Sequence, residues 1–165
     1  MQIPTRRGEG KNLPKLDPYL TEEKYRELKE KLARLLSRRP SLSVEVKRLA
    51  EMGDFSENAG YQLAKGRLRG LNERILNIEY QLKNAEIIPT SLSADKVRIG
   101  SLVVLEVGGQ EKTYRILGST ETDPLRGVIS HNSPLGAALL NHRIGDTVEV
   151  ILAEKAKEFK ILRIE

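Results

Sequence analysis

Two acidic residues, Asp54 and Glu57, stand three positions apart in the short polar segment 53–58. Carboxylate oxygens suit Mg²⁺, which proteins usually hold with one or two carboxylates plus the phosphates of a substrate. Two carboxylates alone make an incomplete site, so this chemistry needs further ligands from a partner. The pattern fits two-metal phosphodiester chemistry, in which ions about 4 Å apart activate a water and stabilise the leaving oxygen. Ser56 and Asn58 could orient such a water by hydrogen bonding.

The same residues also have a simpler interpretation as helix caps. Asp54 or Ser56 can accept hydrogen bonds from the free amides at the start of the following helix. Acidic side chains near that end also complement the helix dipole. Spacing alone therefore leaves two interpretations open, a metal ligand and a helix cap.

Two long apolar repeats lead into and out of this segment and predict the elements that position it. Apolar side chains recur at alternating steps of three and four, a period typical of helices packed along a supercoiled seam. Only a short Gly-containing turn separates the repeats, so they should form an antiparallel hairpin. The seam residues are Tyr25, Leu28, Leu32, Leu35, Leu42, Val46 and Leu49 before the turn, and Tyr61, Ala64, Leu68, Leu71, Ile75, Ile78, Leu82 and Ala85 after it.

Caps and breakers predict where the two helices begin and end. The first should begin near Thr21, an N-cap followed by two acidic residues. Pro40 should kink or briefly break it, because proline lacks a backbone donor and clashes with the preceding turn. The second should run to about Ile87, with Pro89 ending it. At 1.5 Å per residue, arms of about 30 residues make a rod about 45 Å long with the two acids at its far end.

Three glycines, Gly60, Gly66 and Gly70, lie in the first half of the second helix. Each costs about 1 kcal/mol relative to alanine in a helix interior. Either the opposing helix approaches closely there or the helix is soft near the turn, and the sequence does not decide between the two.

Beyond residue 90 the apolar period changes from 3.5 to 2, which predicts a second domain built of strands. Ser133 should cap a short helix with Pro134 at its first position. The predicted strands are 102–107, 111–117, 127–130, 147–152 and 158–164. The chain thus divides into a flexible tail (1–18), a coiled-coil hairpin (19–89) and a small antiparallel sheet with one helix (90–165), an α+β fold.

Composition narrows the class of protein and its partners. The 165 residues include no cysteine, which excludes disulfides and thiolate metal sites. No apolar run approaches the roughly 18 residues of a membrane span, so we expect a cytoplasmic protein with no membrane partner. Residues 1–90 contain 18 basic and 13 acidic residues, whereas the remainder contains ten of each. This asymmetry favours a polyanionic partner, although a solvated helix surface would account for most of these charges.

The residues around the two acids resemble the tip motif of bacterial Gre-type transcript cleavage factors. The resemblance covers roughly residues 19–165 and rests on two motifs in the expected order. The first is Gly53-Asp54-Phe55-Ser56-Glu57-Asn58-Ala59 with Tyr61, Ala64 and Lys65. The second is Gly127-Val128-Ile129-Ser130, Asn132-Ser133-Pro134-Leu135, Ala138-Leu139 and Gly145-Asp146-Val148-Glu149-Val150.

The resemblance implies a coiled-coil hairpin followed by an FKBP-like domain. In that family the hairpin enters the secondary channel of bacterial RNA polymerase when elongation has backtracked. The tip acids help to hold the second Mg²⁺ of the polymerase active site and its water, which stimulates the polymerase's own cleavage of the nascent RNA near its 3′ end. The factor is not catalytic alone, it holds no tightly bound cofactor, and we expect a monomer.

Matching positions imply a role for each site residue. Asp54 and Glu57 would hold the shared metal, while Ser56 and Asn58 would shape the tip. The residues matching the loop that docks on the polymerase at the channel rim are Asn132, Ser133 and Pro134.

Two departures from the family pattern change the charge near the tip. Gly60 stands where the family usually has a glutamate, and Gly66 also replaces a usual acid. The neighbouring basic residues are therefore less compensated, and we predict that they grip the backtracked RNA through its phosphates. These residues are Lys47, Arg48, Lys65, Arg67, Arg69 and Arg74. The missing acid at position 60 bears on how strongly cleavage is stimulated.

Other functions fit parts of the sequence. A regulator of the same shape could block or retune polymerase without cleavage, which Gly60 favours and the pair Asp54 and Glu57 opposes. A plain coiled-coil interaction module would use the acids only as caps. A prolyl isomerase needs an aromatic pocket, and the second domain offers only Tyr114 and Phe159.

Overall fold

A computed structural model describes residues 16–52, 59–89, 95–152 and 155–165 of the chain. Two long helices, with a short strand before the first and another after the second, precede a five-stranded sheet with one short helix. The helices are α1 (Glu22–Glu51), α2 (Ala59–Lys83) and α3 (Pro134–Leu139). The strands are β1 (Tyr19–Leu20), β2 (Glu86–Ile87), β3 (Leu102–Val107), β4 (Gln110–Leu117), β5 (Val128–Ser130), β6 (Thr147–Leu152) and β7 (Lys155–Ile164).

Helices α1 and α2 pack against each other as the predicted antiparallel hairpin. Leu28 in the first part of α1 packs near Ile78 in the last part of α2, and Leu42 lines a groove with Leu71. Every predicted seam residue is buried or partly buried. Burying a Leu or Ile side chain contributes about 1.5–3 kcal/mol, and this packing supplies the stability that isolated helices lack. The fold predicted for this half is confirmed.

The start of α1 is capped as predicted. The Thr21 hydroxyl accepts a hydrogen bond from the Lys24 amide at 3.1 Å. One turn further on, the Lys24 ammonium lies 2.8 Å from the Glu27 carboxylate, and this hydrogen bond lowers the pKa of Glu27 below its usual value. The pair is exposed to solvent and adds little to stability.

Of the kink or short break predicted at Pro40, the break is wrong, because α1 continues through this residue. The donor that proline lacks would have bonded to the carbonyl of Leu36. Both residues are exposed, so water can satisfy that carbonyl.

The second helix ends earlier than predicted. Helix α2 stops at Lys83, and Glu86–Ile87 forms β2, which pairs in parallel with β1. The Glu86 amide donates to the Pro18 carbonyl and the Ile88 amide to the Leu20 carbonyl, both at 2.8 Å. Pairing satisfies these backbone groups and buries Leu20 and Ile88. It also ties Pro18, which we had assigned to the flexible tail, to the base of the hairpin.

The sheet of the second domain has the strand order β5-β4-β3-β7-β6. Its pairs are antiparallel except β4 with β5, which is parallel. Two 3₁₀ turns, Ser119–Glu121 and Pro124–Arg126, carry the chain across between those strands, a crossover that a parallel pair requires. The sheet is therefore mixed rather than wholly antiparallel as predicted. Helix α3 covers one face, where Leu105, Ile116, Leu139 and Ile161 are fully buried.

Strand β7 begins at Lys155, three residues before the predicted start.

No helix within the described ranges is both long enough and apolar enough to span a membrane.

Candidate functional site

The predicted tip residues Asp54, Ser56, Glu57 and Asn58 lie outside the described residues. The helix ends on either side of them are described. At the end of α1, the Met52 amide donates to the Leu49 carbonyl at 3.4 Å. Since α1 has 30 residues, its last residue, Glu51, lies about 45 Å from its start.

Basic side chains flank this segment on both helices. The Arg48 guanidinium lies 3.5 Å from the Met52 sulfur, and the Lys65 ammonium lies 5.5 Å from the centre of the Tyr61 ring. A cation at this distance is attracted to the ring face by about 0.5–1 kcal/mol at exposed sites. Lys47, Arg48 and Lys65 are exposed and form no ion pair with a described residue. The first turn of α2 contains no acid.

The structure divides four of the six predicted RNA-contacting residues between two grooves. Arg67 and Arg74, seven residues apart, line one groove of about 710 Å³ together with Arg38 of α1. Lys65 and Arg69, four residues apart, line a second groove. Residues four or seven apart lie on the same side of a helix, so each pair lies on one side of α2. Because the two pairs line different grooves, they lie on different sides of α2. A single RNA strand lying along one side of α2 would therefore contact only one of these two pairs.

Gly66 and Gly70 of α2 do not mark a close approach of the two helices. A Cβ atom placed on Gly66 or Gly70 would meet no atom within 4 Å among the described residues. Close approach of the opposing helix is therefore the wrong explanation for these two positions. Both glycines line the groove that contains Arg67 and Arg74.

The predicted docking loop stands at the start of α3. The Ser133 hydroxyl accepts from the Gly136 amide at 3.1 Å and donates to the Ser130 carbonyl at 2.6 Å. Asn132 and Pro134 on either side are exposed. The outward surface of this loop therefore belongs to Asn132 and Pro134, while Ser133 holds the loop against β5.

One set of contacts was missed by the sequence analysis. The Thr21 amide and hydroxyl both donate to the Glu121 carboxylate, at 2.8 and 2.5 Å. The Ser119 amide donates to the Asp17 carboxylate at 2.7 Å. The partners are 100 or more residues apart in sequence, so no local pattern could have indicated these contacts.

Both halves of the chain match known protein families. Residues 18–87 match the family described as transcription elongation factor, N-terminal, and residues 92–165 match transcription elongation factor, GreA/GreB, C-term. The transcription elongation factor GreA of Desulfovibrio desulfuricans is 41% identical over 143 residues, which cover 85% of this chain and 88% of that one. GreA of Lachnoclostridium phytofermentans is 38% identical over 150 residues, which cover 88% and 94%.

Solved structures of similar proteins include the crystal structure of the GreA factor homolog 1 protein of Thermus thermophilus. It is 28% identical, and the match covers 90% of this chain and 99% of that one with a TM-score of 0.42.

Proposed function

We infer the function of this chain from the premise that it belongs to the GreA/GreB family of transcription elongation factors. We propose that it binds in the secondary channel of bacterial RNA polymerase and stimulates the polymerase's intrinsic cleavage of backtracked RNA. One observation carries this proposal: the segment with Asp54 and Glu57 joins the far ends of two packed helices of 30 and 25 residues. A rod about 45 Å long has the reach to carry two carboxylates into a site built by another protein.

The proposed task of the tip is to complete a metal site. The donors at positions 54, 56, 57 and 58 are carboxylate, hydroxyl and amide oxygens, and such hard oxygen ligands fit Mg²⁺. When bound, Mg²⁺ supplies an activated water for attack on a phosphodiester. Asp54 and Glu57 contribute carboxylate oxygens, and Ser56 and Asn58 orient the site through hydrogen bonds. Two carboxylates leave most of a six-oxygen shell to other ligands, so the chain is not catalytic alone.

The second domain is proposed to dock on the polymerase at the channel rim. Asn132 and Pro134 are exposed and adjacent to the capped start of α3. Ser133 keeps them in place through its two hydrogen bonds. This rigid loop supports a docking role because a preorganised contact loses little conformational freedom on binding.

The basic residues are proposed to hold the nascent RNA near its 3′ end. Lys47, Arg48 and Lys65 lie closest in sequence to the tip, and each is exposed. Contacts of Lys and Arg with phosphates release counterions and do not depend on base sequence. Arg69 extends the groove of Lys65, whereas Arg67 and Arg74 would meet RNA on the other side of α2.

A second candidate function is a regulator that occupies the same channel without stimulating cleavage. The observation that favours it is the first turn of α2, which begins Ala59-Gly60-Tyr61 and lacks an acid. A weaker negative field at the tip would lower its affinity for Mg²⁺ while leaving the shape of the rod unchanged.

Backtracked elongation complexes with RNA labelled at the 3′ end separate these functions. Wild type is expected to release short labelled fragments, and Asp54→Ala/Glu57→Ala to release none while still binding polymerase. Glu79→Ala/Glu111→Ala removes the same charge from exposed positions outside both grooves and is the matched control. Undiminished cleavage by the tip variant would refute the metal role. Polymerase binding and slowed extension by wild type, without fragments, would favour the regulator.

A further inference from the structure

The carboxylate of Asp17 joins the base of the hairpin to the second domain. Its side chain is only 4% exposed. One oxygen accepts from the Tyr19 amide at 3.1 Å, and the other accepts from the Ser119 amide and hydroxyl, both at 2.7 Å. The Nδ1 atom of His131 lies 3.3 Å from that second oxygen. Buried carboxylate oxygens need hydrogen-bond donors to offset their lost hydration, and here these contacts link the base of the hairpin to the second domain.

A second carboxylate fixes the first turn of α1. Glu121 accepts from the amide and the hydroxyl of Thr21 through its two oxygens. Thr21 is also the N-cap of α1. Because the two bonds share one carboxylate, they restrict the direction of the helix as well as its distance from the second domain.

Backbone packing at the same place leaves no room for a side chain at position 118. A Cβ atom on Gly118 would lie 2.1 Å from the Tyr19 carbonyl oxygen. Gly118 has a φ of −66°, which any residue adopts, so glycine is needed here for space. The Tyr19 ring also meets the His131 ring edge to face, with 5.3 Å between centres. We call Asp17, Thr21, Gly118, Ser119, Glu121 and His131 the base junction.

Hydrogen bonds continue from the base junction to the docking loop. The Ser119 hydroxyl lies 2.9 Å from the Ser130 hydroxyl, which accepts from the Asn132 amide at 3.0 Å. Ser119 has one hydroxyl proton and gives it to Asp17. The Ser130 hydroxyl must therefore donate to the Ser119 oxygen, and the Ser130 oxygen accepts from the Asn132 amide. The donors point in one direction, from the docking loop to Asp17, and such a series is mutually strengthening.

We propose that the base junction sets the direction of the hairpin relative to the docking loop, with Asp17 and Glu121 as positioning residues. This inference rests on the proposed function, since direction matters only if the loop docks while the tip reaches the active site. A rotation of about 10° at the base would move the end of a rod about 45 Å long by about 8 Å. Misplacement by about 1 Å can already reduce a reaction rate by up to about a hundredfold.

Distances between spin labels test this inference in the free protein. The chain has no cysteine, so labels can be placed at Lys31→Cys on α1 and Glu111→Cys on β4, both exposed. Wild type is expected to give one narrow distance distribution. Asp17→Asn, which keeps the volume but replaces an acceptor by a donor, should broaden or shift it. Asp95→Asn, at an exposed aspartate, is the matched control and should leave it unchanged.

Two further variants keep the test decisive. Glu121→Gln and Gly118→Ala should change the distribution in the same way while circular dichroism shows the helices intact. A distribution that keeps both the width and the mean distance of wild type in Asp17→Asn and in Glu121→Gln would overturn the inference. If Asp17→Asn does not fold, Glu121→Gln and Gly118→Ala decide the question.

The cleavage assay tests the consequence for activity. At saturating factor, Asp17→Asn and Glu121→Gln should lower the cleavage rate roughly tenfold or more, while labelled factor still binds polymerase. A rate equal to wild type in both would overturn the positioning role. If wild type itself stimulates no cleavage, the proposed function fails, and the label distances still test the base junction on their own.

Discussion

At the scale of single residues, the docking loop divides its tasks between neighbouring side chains. The Ser133 hydroxyl is used by two internal hydrogen bonds, so it has little capacity left for a partner. Pro134 next to it is exposed and occupies the first position of α3. A loss of binding would therefore have different causes at the two positions.

Replacing Ser133 should affect stability, and replacing Pro134 should affect binding. Ser133→Ala removes an N-cap and is expected to lower the free energy of unfolding by about 0.5–2 kcal/mol. Ser133→Asp keeps a capping oxygen and should recover most of that loss. Pro134→Ala should weaken polymerase binding in a competition assay with little change in stability. Denaturant unfolding of Ser133→Ala that matches wild type would contradict the capping role.

At the scale of elements, the seam between α1 and α2 carries the stability of the hairpin. Ile75 is 3% exposed in this seam, whereas its neighbour Leu76 is 52% exposed on the outer side of α2. The two positions therefore form a matched pair within one helix turn.

Truncating these two residues should give very different results. Ile75→Ala is expected to lower the free energy of unfolding by about 2–5 kcal/mol, because it leaves a cavity in the seam. Leu76→Ala should change it by about 0.5 kcal/mol or less, as exposed positions usually do. Equal losses in denaturant titrations would show that the packing face of α2 is assigned wrongly.

Substitution of the two exposed-side glycines of α2, Gly66 and Gly70, should stabilise the protein, in contrast to Ile75→Ala. Gly66→Ala and Gly70→Ala should each raise the free energy of unfolding by about 0.5–1 kcal/mol, because alanine favours the helix and meets no described atom within 4 Å. Thermal unfolding of each single variant measures this. A lower melting temperature for either variant would contradict the open environment of that glycine.

Elements with a strong local signal could be predicted from the sequence. The 3.5-residue period predicted the hairpin, and the Ser-Pro pair predicted the cap of α3. The end of α2 could not be predicted, because Glu86–Ile87 pairs with Tyr19–Leu20, which lies far away in sequence. The base junction was missed for the same reason. Asp17 follows a polar tail in the sequence, and its partner Ser119 lies far away along the chain.

At the scale of the whole molecule, the proposed function depends on the length of the hairpin and on its direction. The hairpin supplies a rod whose joining segment carries Asp54 and Glu57, and the second domain supplies the loop that we propose docks on the polymerase. The base junction connects the two through Asp17 and Glu121. A rod that carries ligands for another protein's metal site needs both properties, because length without a fixed direction would leave the tip in the active site only rarely.

The dependence of cleavage on Mg²⁺ concentration tests the central claim most directly. Backtracked complexes are assayed over a range of Mg²⁺ concentrations with polymerase alone, with wild type, and with Asp54→Asn/Glu57→Gln, which keeps the side-chain shapes. Wild type should lower the Mg²⁺ concentration that gives half-maximal cleavage, and the variant should lose this shift while still binding polymerase. A half-maximal Mg²⁺ concentration that is the same for wild type and variant would contradict the account.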